Sequence, residues 1–182
     1  MKLLILGDSI SSGWGAEKGY ADYLLNDYAG REKIEIYNYS VPGSIITDGL
    51  NRLPEILPAV GQIDYFICNF GTNDGLPSIY GGEVRVSLSE FKQGLVSLLE
   101  LLPDSVGLIF LGTVSSFEPD INQSLVLYNQ VIRDFALQKK GIFIDLYSLL
   151  LLRPELLQGD GLHPNDLGHR ILADKLNEAI HF

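Results

Sequence analysis

Residues 3–10 read Leu3-Leu4-Ile5-Leu6-Gly7-Asp8-Ser9-Ile10. Four consecutive aliphatic residues with no alternation have the form of a short strand buried on both faces, and the Gly-Asp-Ser that follows reads as a turn at its carboxyl end. The same unit recurs along the chain. Ile34–Asn38, Tyr65–Phe70, Gly107–Leu111 and Ile142–Asp145 are further short runs rich in apolar or β-branched residues, and longer segments separate them. Alternation of this kind predicts an α/β protein, with a parallel sheet of about five strands covered by helices on both faces.

Three helices are marked in residues. Ser87-Leu88-Ser89-Glu90 has capping-box spacing, so a helix is expected to start there and run to Leu102, where Pro103 stops it. Asn122–Lys140 directs Leu125, Leu127, Val131, Ile132 and Phe135 to one side and closes on Lys139-Lys140-Gly141, cations and a glycine suited to a helix C-terminus. A last helix from about Asn165 places Ile171, Leu172, Leu176, Ala179 and Ile180 on one stripe. The 10 residues Pro77–Val86 read as a loop.

Composition bounds the partners. With 182 residues, 46% hydrophobic and 20% charged, the chain fits one domain spanning 1–182 and is too apolar for disorder. Thirteen Lys and Arg against 23 Asp and Glu leave a net charge of −10, which repels phosphate backbones and anionic lipid surfaces, so no nucleic-acid partner is expected. No apolar run approaches the roughly 18 residues that span a bilayer, so no membrane insertion is expected. Met1-Lys2 leads directly into the first strand, and the single cysteine, Cys68, sits in an apolar run. Both suit a cytoplasmic protein without disulfides.

An open parallel sheet binds ligands at the carboxyl ends of its strands, near the point where strand order reverses. Four polar or glycine-rich turns belong to that edge: Gly7-Asp8-Ser9-Ile10, Ser40-Val41-Pro42-Gly43, Gly71-Thr72-Asn73-Asp74, and Asp160-Gly161-Leu162-His163-Pro164 before the last helix. A serine hydroxyl is a weak nucleophile at neutral pH and needs a base within hydrogen-bond reach, with a third group holding that base in the right tautomer. Asp160 and His163, three residues apart in one turn, suit the orienting carboxylate and the base. Ser9 suits the hydroxyl. Developing charge on a carbonyl oxygen would then meet the N–H groups of Ser9 and Gly43 and the Asn73 amide. Asp8 and Asp74 read as turn-shaping or capping carboxylates, and His169 and His181 as structural or solvated. Leu76, Ile79, Tyr80, Phe117 and Leu162 lie in loops near the proposed site and are candidates for an acyl pocket.

Taken together, these blocks resemble the SGNH or GDSL-type hydrolases. The family's serine, glycine, asparagine and histidine look like Ser9 in GDSI, Gly43 in SVPG, Asn73 in GTND and His163 in DGLHP, with Asp160 as the acid. The resemblance extends from Ser9 to His163 and is similar to the bacterial branch with arylesterase, thioesterase and lysophospholipase activities. It implies a flavodoxin-like three-layer fold and hydrolysis of acyl esters or thioesters through a serine acyl-enzyme, without metal or cofactor. The expected partner is a small-molecule acyl ester of short or medium chain; acyl thioesters, lysophospholipids and O-acetylated sugars are the alternatives. The chain departs from that branch in carrying Thr72 where glycine is frequent and in its longer Pro77–Val86 segment.

Other chemistries lack their spacing. Ser11 stands two residues after Ser9, so there is no G-x-S-x-G elbow. Gly13, Gly15 and Gly19 make no nucleotide-binding glycine motif, and the three histidines form no H-E-x-x-H. A phosphoacceptor receiver module would also place Asp8 after the first strand and a threonine such as Thr113 after the fourth. Its cation is missing, because the fifth strand ends at Asp145, and it gives no reason for Asp160 and His163. A catalytically silent binding relative is opposed by the intact Ser9, Asn73, Asp160 and His163 set.

Overall fold

A computed structural model describes residues 1–29, 34–78 and 81–180. In chain order the elements are β1 (Lys2–Gly7), α1 (Ser9–Ser12), α2 (Tyr20–Tyr28), β2 (Glu35–Asn38), α3 (Ile46–Val60), β3 (Tyr65–Asn69) and α4 (Thr72–Gly75). Then come β4 (Pro77–Ser78), β5 (Gly81–Val84), α5 (Leu88–Glu100), β6 (Gly107–Leu111), α6 (Pro119–Gln138), β7 (Ile142–Ile144), α7 (Leu146–Leu152), a 3-10 turn at Pro154–Leu156, and α8 (Asp166–Ala179).

The central sheet has five parallel strands in the order β2-β1-β3-β6-β7. Alternate side chains along each strand point to opposite faces, so each strand supplies two cores. Leu3, Ile5, Ile67, Ile109 and Ile144 pack on one side with Leu24 of α2, Leu146 and Leu150 of α7, and Leu172 and Leu176 of α8. Leu4, Leu6, Phe66, Cys68 and Phe110 pack on the other with Ile46, Leu53 and Ile56 of α3, Phe91 and Leu95 of α5, and Ile132 and Phe135 of α6. This is the expected three-layer α/β/α architecture. The Cys68 thiol is a buried part of the second core, and burial pushes its pKa up.

Strand order reverses between β1 and the central strand β3. There Gly7 has no room for a side chain: a Cβ would lie 2.7 Å from the Asn69 carbonyl oxygen. The short helices that follow these two strands, α1 and α4, carry Ser9 and Asn73.

Several boundaries differ from expectation, each for a local reason. The helix capped by Ser87 ends at Glu100 instead of Leu102, because its last N–H groups switch to shorter-range bonds, Leu101 to Leu98 and Leu102 to Leu99. The next long helix starts at Pro119, not Asn122, since proline's missing N–H costs nothing in a first turn. Its left-handed exit residue is Lys140 (φ 55°), not Gly141. Gly141 is closely packed: a Cβ there would lie 2.9 Å from the Phe110 ring and 3.1 Å from the Leu108 carbonyl oxygen. Within the Pro77–Val86 loop the structure has an antiparallel hairpin of β4 and β5. Among the described residues no helix is long and apolar enough to cross a membrane.

Candidate active site

Asp8 is the N-cap of α1: its Oδ1 accepts the Ile10 N–H at 2.9 Å, and this short helix closes at Gly13 in the left-handed conformation (φ 75°). The cap places Ser9 in the first turn, where the backbone N–H has no intrahelical acceptor. Beneath it a buried relay runs from Tyr20, whose hydroxyl donates to Ser11 Oγ at 2.7 Å, to Asn69 Oδ1, which accepts from Ser11 at 2.8 Å.

The loop ahead of α8 meets α1 from the other end of the chain. His163 Nε2 lies 2.9 Å from Ser9 Oγ, and His163 Nδ1 lies 2.6 Å from Asp160 Oδ2. Asp160 Oδ1 accepts the backbone N–H groups of Leu162 and His163, both at 3.0 Å. Burial raises the Asp160 pKa, and these backbone bonds with the His163 ring outweigh it, so the carboxyl titrates below its ordinary value. Gly161 adopts φ 69°, and a Cβ on it would sit 2.3 Å from the Phe117 ring. Gln158 fastens the loop to the turn after α1 by donating from Nε2 to the Trp14 carbonyl, and braces the loop itself through the Pro164 carbonyl, both at 2.9 Å. Asn165 caps α8, and Asp166 Oδ1 accepts the Glu17 and Lys18 N–H groups at 2.8 and 3.2 Å.

The turn Val41-Pro42-Gly43-Ser44 closes through Ser44 N–H to Val41 O at 3.1 Å. Gly43 at φ 80° occupies the position of a type II turn that favours glycine, and among the described residues its N–H donates to no protein acceptor. Asn73, in α4, donates from Nδ2 to Asp8 Oδ2 at 3.2 Å and to Ser44 O at 3.1 Å, both long bonds. Next to it, Asp74 is a buried cap, as the sequence suggested, accepting Ile46 N–H and Gly71 N–H at 2.9 Å each. Thr72 uses its hydroxyl oxygen to accept the Val114 N–H at 3.3 Å, tying α4 to the loop after β6.

Two carboxyls here are raised. Burial lifts Asp8 to about 7, with the Ile10 N–H opposing it and nearby Asp74 adding to it. Burial likewise lifts Asp74 to about 6 against the bonds from Ile46 and Gly71. His169 is buried against the Tyr20 ring at 6.3 Å between centroids, and burial lowers it to about 4. It is a neutral core side chain.

Of the pocket candidates, Leu76 and Leu162 are half-buried and pack against the core, while Phe117 is 54% exposed. Ile79, Tyr80 and His181 lie outside the described residues. Sequence reading missed Arg85, in the segment after β5. Its Nη1 donates to Asn73 Oδ1 at 3.3 Å and its Nη2 to Gly43 O at 3.2 Å. An isolated arginine in a loop has no periodicity to reveal it. Among the described residues no three His, Cys, Asp or Glu side chains are grouped to hold a metal ion.

A three-layer α/β fold with a hydroxyl, an imidazole and a carboxylate in hydrogen-bond succession at its switch point has the architecture of an ester-hydrolysing enzyme. The chain belongs to the GDSL-like lipase/acylhydrolase family, whose model matches residues 5–171. It is 28% identical to the thioesterase 1/protease 1/lysophospholipase L1 of Escherichia coli strain K12, over 98% of this chain and 82% of that protein. It is 29% identical to an acetylxylan esterase of Geobacillus stearothermophilus, over 100% of this chain and 94% of the relative. The crystal structure of a catalytic mutant of an acetylxylan esterase from the same organism superposes with a TM-score of 0.83 at 25% identity, covering 100% of this chain and 94% of that one. The protein is therefore an esterase acting on small-molecule esters.

Proposed function

We propose that Ser9, His163 and Asp160 are the catalytic triad of a serine esterase that forms an acyl-enzyme, carried by a single domain spanning 1–182. One observation supports this above all: the unbroken succession Ser9 Oγ, His163 Nε2, His163 Nδ1, Asp160 Oδ2, with spacings of 2.9 and 2.6 Å. His163 removes the Ser9 proton as Oγ bonds to the acyl carbon, and the carbonyl π pair moves onto oxygen. The N–H groups of Ser9 and Gly43 receive that charge, and Asn73 turns one amide hydrogen to it in exchange for the long bond to Asp8. As the oxyanion collapses, the bond to the leaving alcohol or thiol breaks and His163 returns the proton to it. Water then repeats the cycle on the acyl-enzyme. Asp160, titrating below its ordinary range, stays ionised throughout and holds the imidazole.

The substrate reading is an oxygen ester with a short or medium acyl chain. Similarity to an acetylxylan esterase across the whole chain supports an acetyl-sized acyl group. Similarity to a thioesterase and lysophospholipase keeps a thioester or lysophospholipid as the second reading. Ser9→Ala is expected to lose on the order of 10³-fold or more in p-nitrophenyl acetate hydrolysis. Fluorophosphonate should label wild type at Ser9 and leave the variant unlabelled. Undiminished hydrolysis by Ser9→Ala removes the mechanism, and a panel of p-nitrophenyl and thioester substrates of increasing chain length separates the two substrate readings.

A further inference from the structure

The triad leaves Arg85 unexplained. This side chain is exposed in a protein of net charge −10, yet both of its described side-chain hydrogen bonds go to neutral oxygens, Asn73 Oδ1 and Gly43 O. Those two residues belong to separate segments, α4 after β3 and the turn after β2, and both are candidate oxyanion donors. The backbone under Arg85 is firmly held: its own N–H donates to Leu76 O, Val86 N–H donates to Asp74 O, both at 3.1 Å, and the Tyr128 hydroxyl donates to the Val86 carbonyl. The guanidinium thus projects from a fixed platform.

We propose that Arg85 is a positioning residue for the oxyanion hole, locking the Gly43 turn and the Asn73 amide into one arrangement and strengthening the Asn73 amide as a donor; this rests on the esterase mechanism above. A guanidinium only donates, so the Asn73 atom facing it must be the amide oxygen, which keeps Nδ2 turned toward the Ser9 side. A cation bound to that oxygen also polarises the amide and makes its N–H groups better donors. The fork holds the Gly43 carbonyl with a second nitrogen, so the spacing between the two donors is set by one rigid, planar group. The benefit grows as charge develops on the substrate oxygen, so it belongs to the transition state more than to ground-state binding.

The test compares Arg85→Met, Arg85→Lys and Ser9→Ala with wild type on neutral p-nitrophenyl acetate. Arg85→Met is expected to lower kcat about tenfold, part of the loss seen when an oxyanion donor is removed outright. KM should stay within about twofold, since ground-state binding is spared. Affinity for phenylboronic acid, which forms a tetrahedral adduct on serine, should weaken by a factor similar to that in kcat, with the unfolding midpoint unchanged. Arg85→Lys keeps charge without the fork and should recover only part of both. Unchanged kcat and boronate affinity in Arg85→Met, with Ser9→Ala inactive, overturn the assignment of Arg85 and leave the triad standing. A loss confined to KM, and to esters bearing a carboxylate, also overturns it and makes Arg85 a contact for a substrate anion. Retained hydrolysis by Ser9→Ala removes the underlying mechanism.

Discussion

Replacing Asp160 by Asn tests the proposed triad at its most local point. The wild-type carboxylate divides its two oxygens: Oδ1 accepts the Leu162 and His163 backbone N–H groups at 3.0 Å, and Oδ2 faces His163 Nδ1 at 2.6 Å. Asparagine keeps the first pair only by placing its oxygen at Oδ1, which turns an NH2 toward Nδ1. The imidazole then carries its proton on Nε2, facing Ser9, and no longer serves as a base. Losing a hydrogen bond to a charged group costs about 1.5–3 kcal/mol. The missing negative charge beside the imidazolium adds roughly 1–2 kcal/mol at the high effective dielectric of a side chain that is 45% exposed. The sum of about 2.5–5 kcal/mol centres on a 10³-fold loss in kcat. Initial rates with p-nitrophenyl acetate, together with the unfolding midpoint, check it. A folded variant with kcat within about tenfold of wild type refutes the role assigned to Asp160.

Further predictions concern the carboxyls and the left-handed glycine Gly161. Asp8, raised from 3.8 to about 7, binds more protons folded than unfolded between those values, so wild-type stability falls as pH rises through that window. Asp8→Asn lacks this slope, and its unfolding midpoint relative to wild type should improve from pH 4 to 7.5; a flat difference contradicts the assignment. Asp74→Ala strands two buried N–H groups, those of Ile46 and Gly71, and should cost about 2–5 kcal/mol in urea unfolding. A cost under about 1 kcal/mol would mean that other groups satisfy them. Gly161→Ala combines a left-handed backbone with a Cβ 2.3 Å from the Phe117 ring, so it should displace the Asp160–His163 loop and lower kcat by about tenfold or more. Wild-type turnover in that variant would show that Phe117 yields freely.

How much of this was legible beforehand follows from the range over which each signal acts. β1, β3 and β6 stood out because strands buried on both faces are written as nearly unbroken apolar runs, and the half-buried edge strand β2 was legible only from Ile36 and Tyr37. The helix after Ser87 was legible because its cap is written in four neighbouring residues. Helix α3 was not, since Pro54 and Pro58 stand inside it and proline usually marks a helix end. The β4–β5 hairpin is too short, and too rich in glycine, to show alternation. At the site, Ser9, Asp160 and His163 were chosen from local turn chemistry, and folding brings their side chains together. The Asn73–Asp8 and Arg85–Gly43 contacts join residues 65 and 42 positions apart, and nothing local writes them.

The hydroxyl and the imidazole that meet at 2.9 Å are separated by 154 positions. During synthesis Ser9 leaves the ribosome 154 residues ahead of His163, its partner in the proposed triad. On the proposed mechanism, until α8 has docked, and Gln158 and Asp166 have fastened the late loop to the early one, Ser9 has no base to activate it. Hydrolysis by that mechanism begins only once the segment after β7, the last strand of the sheet, has docked against the first loop.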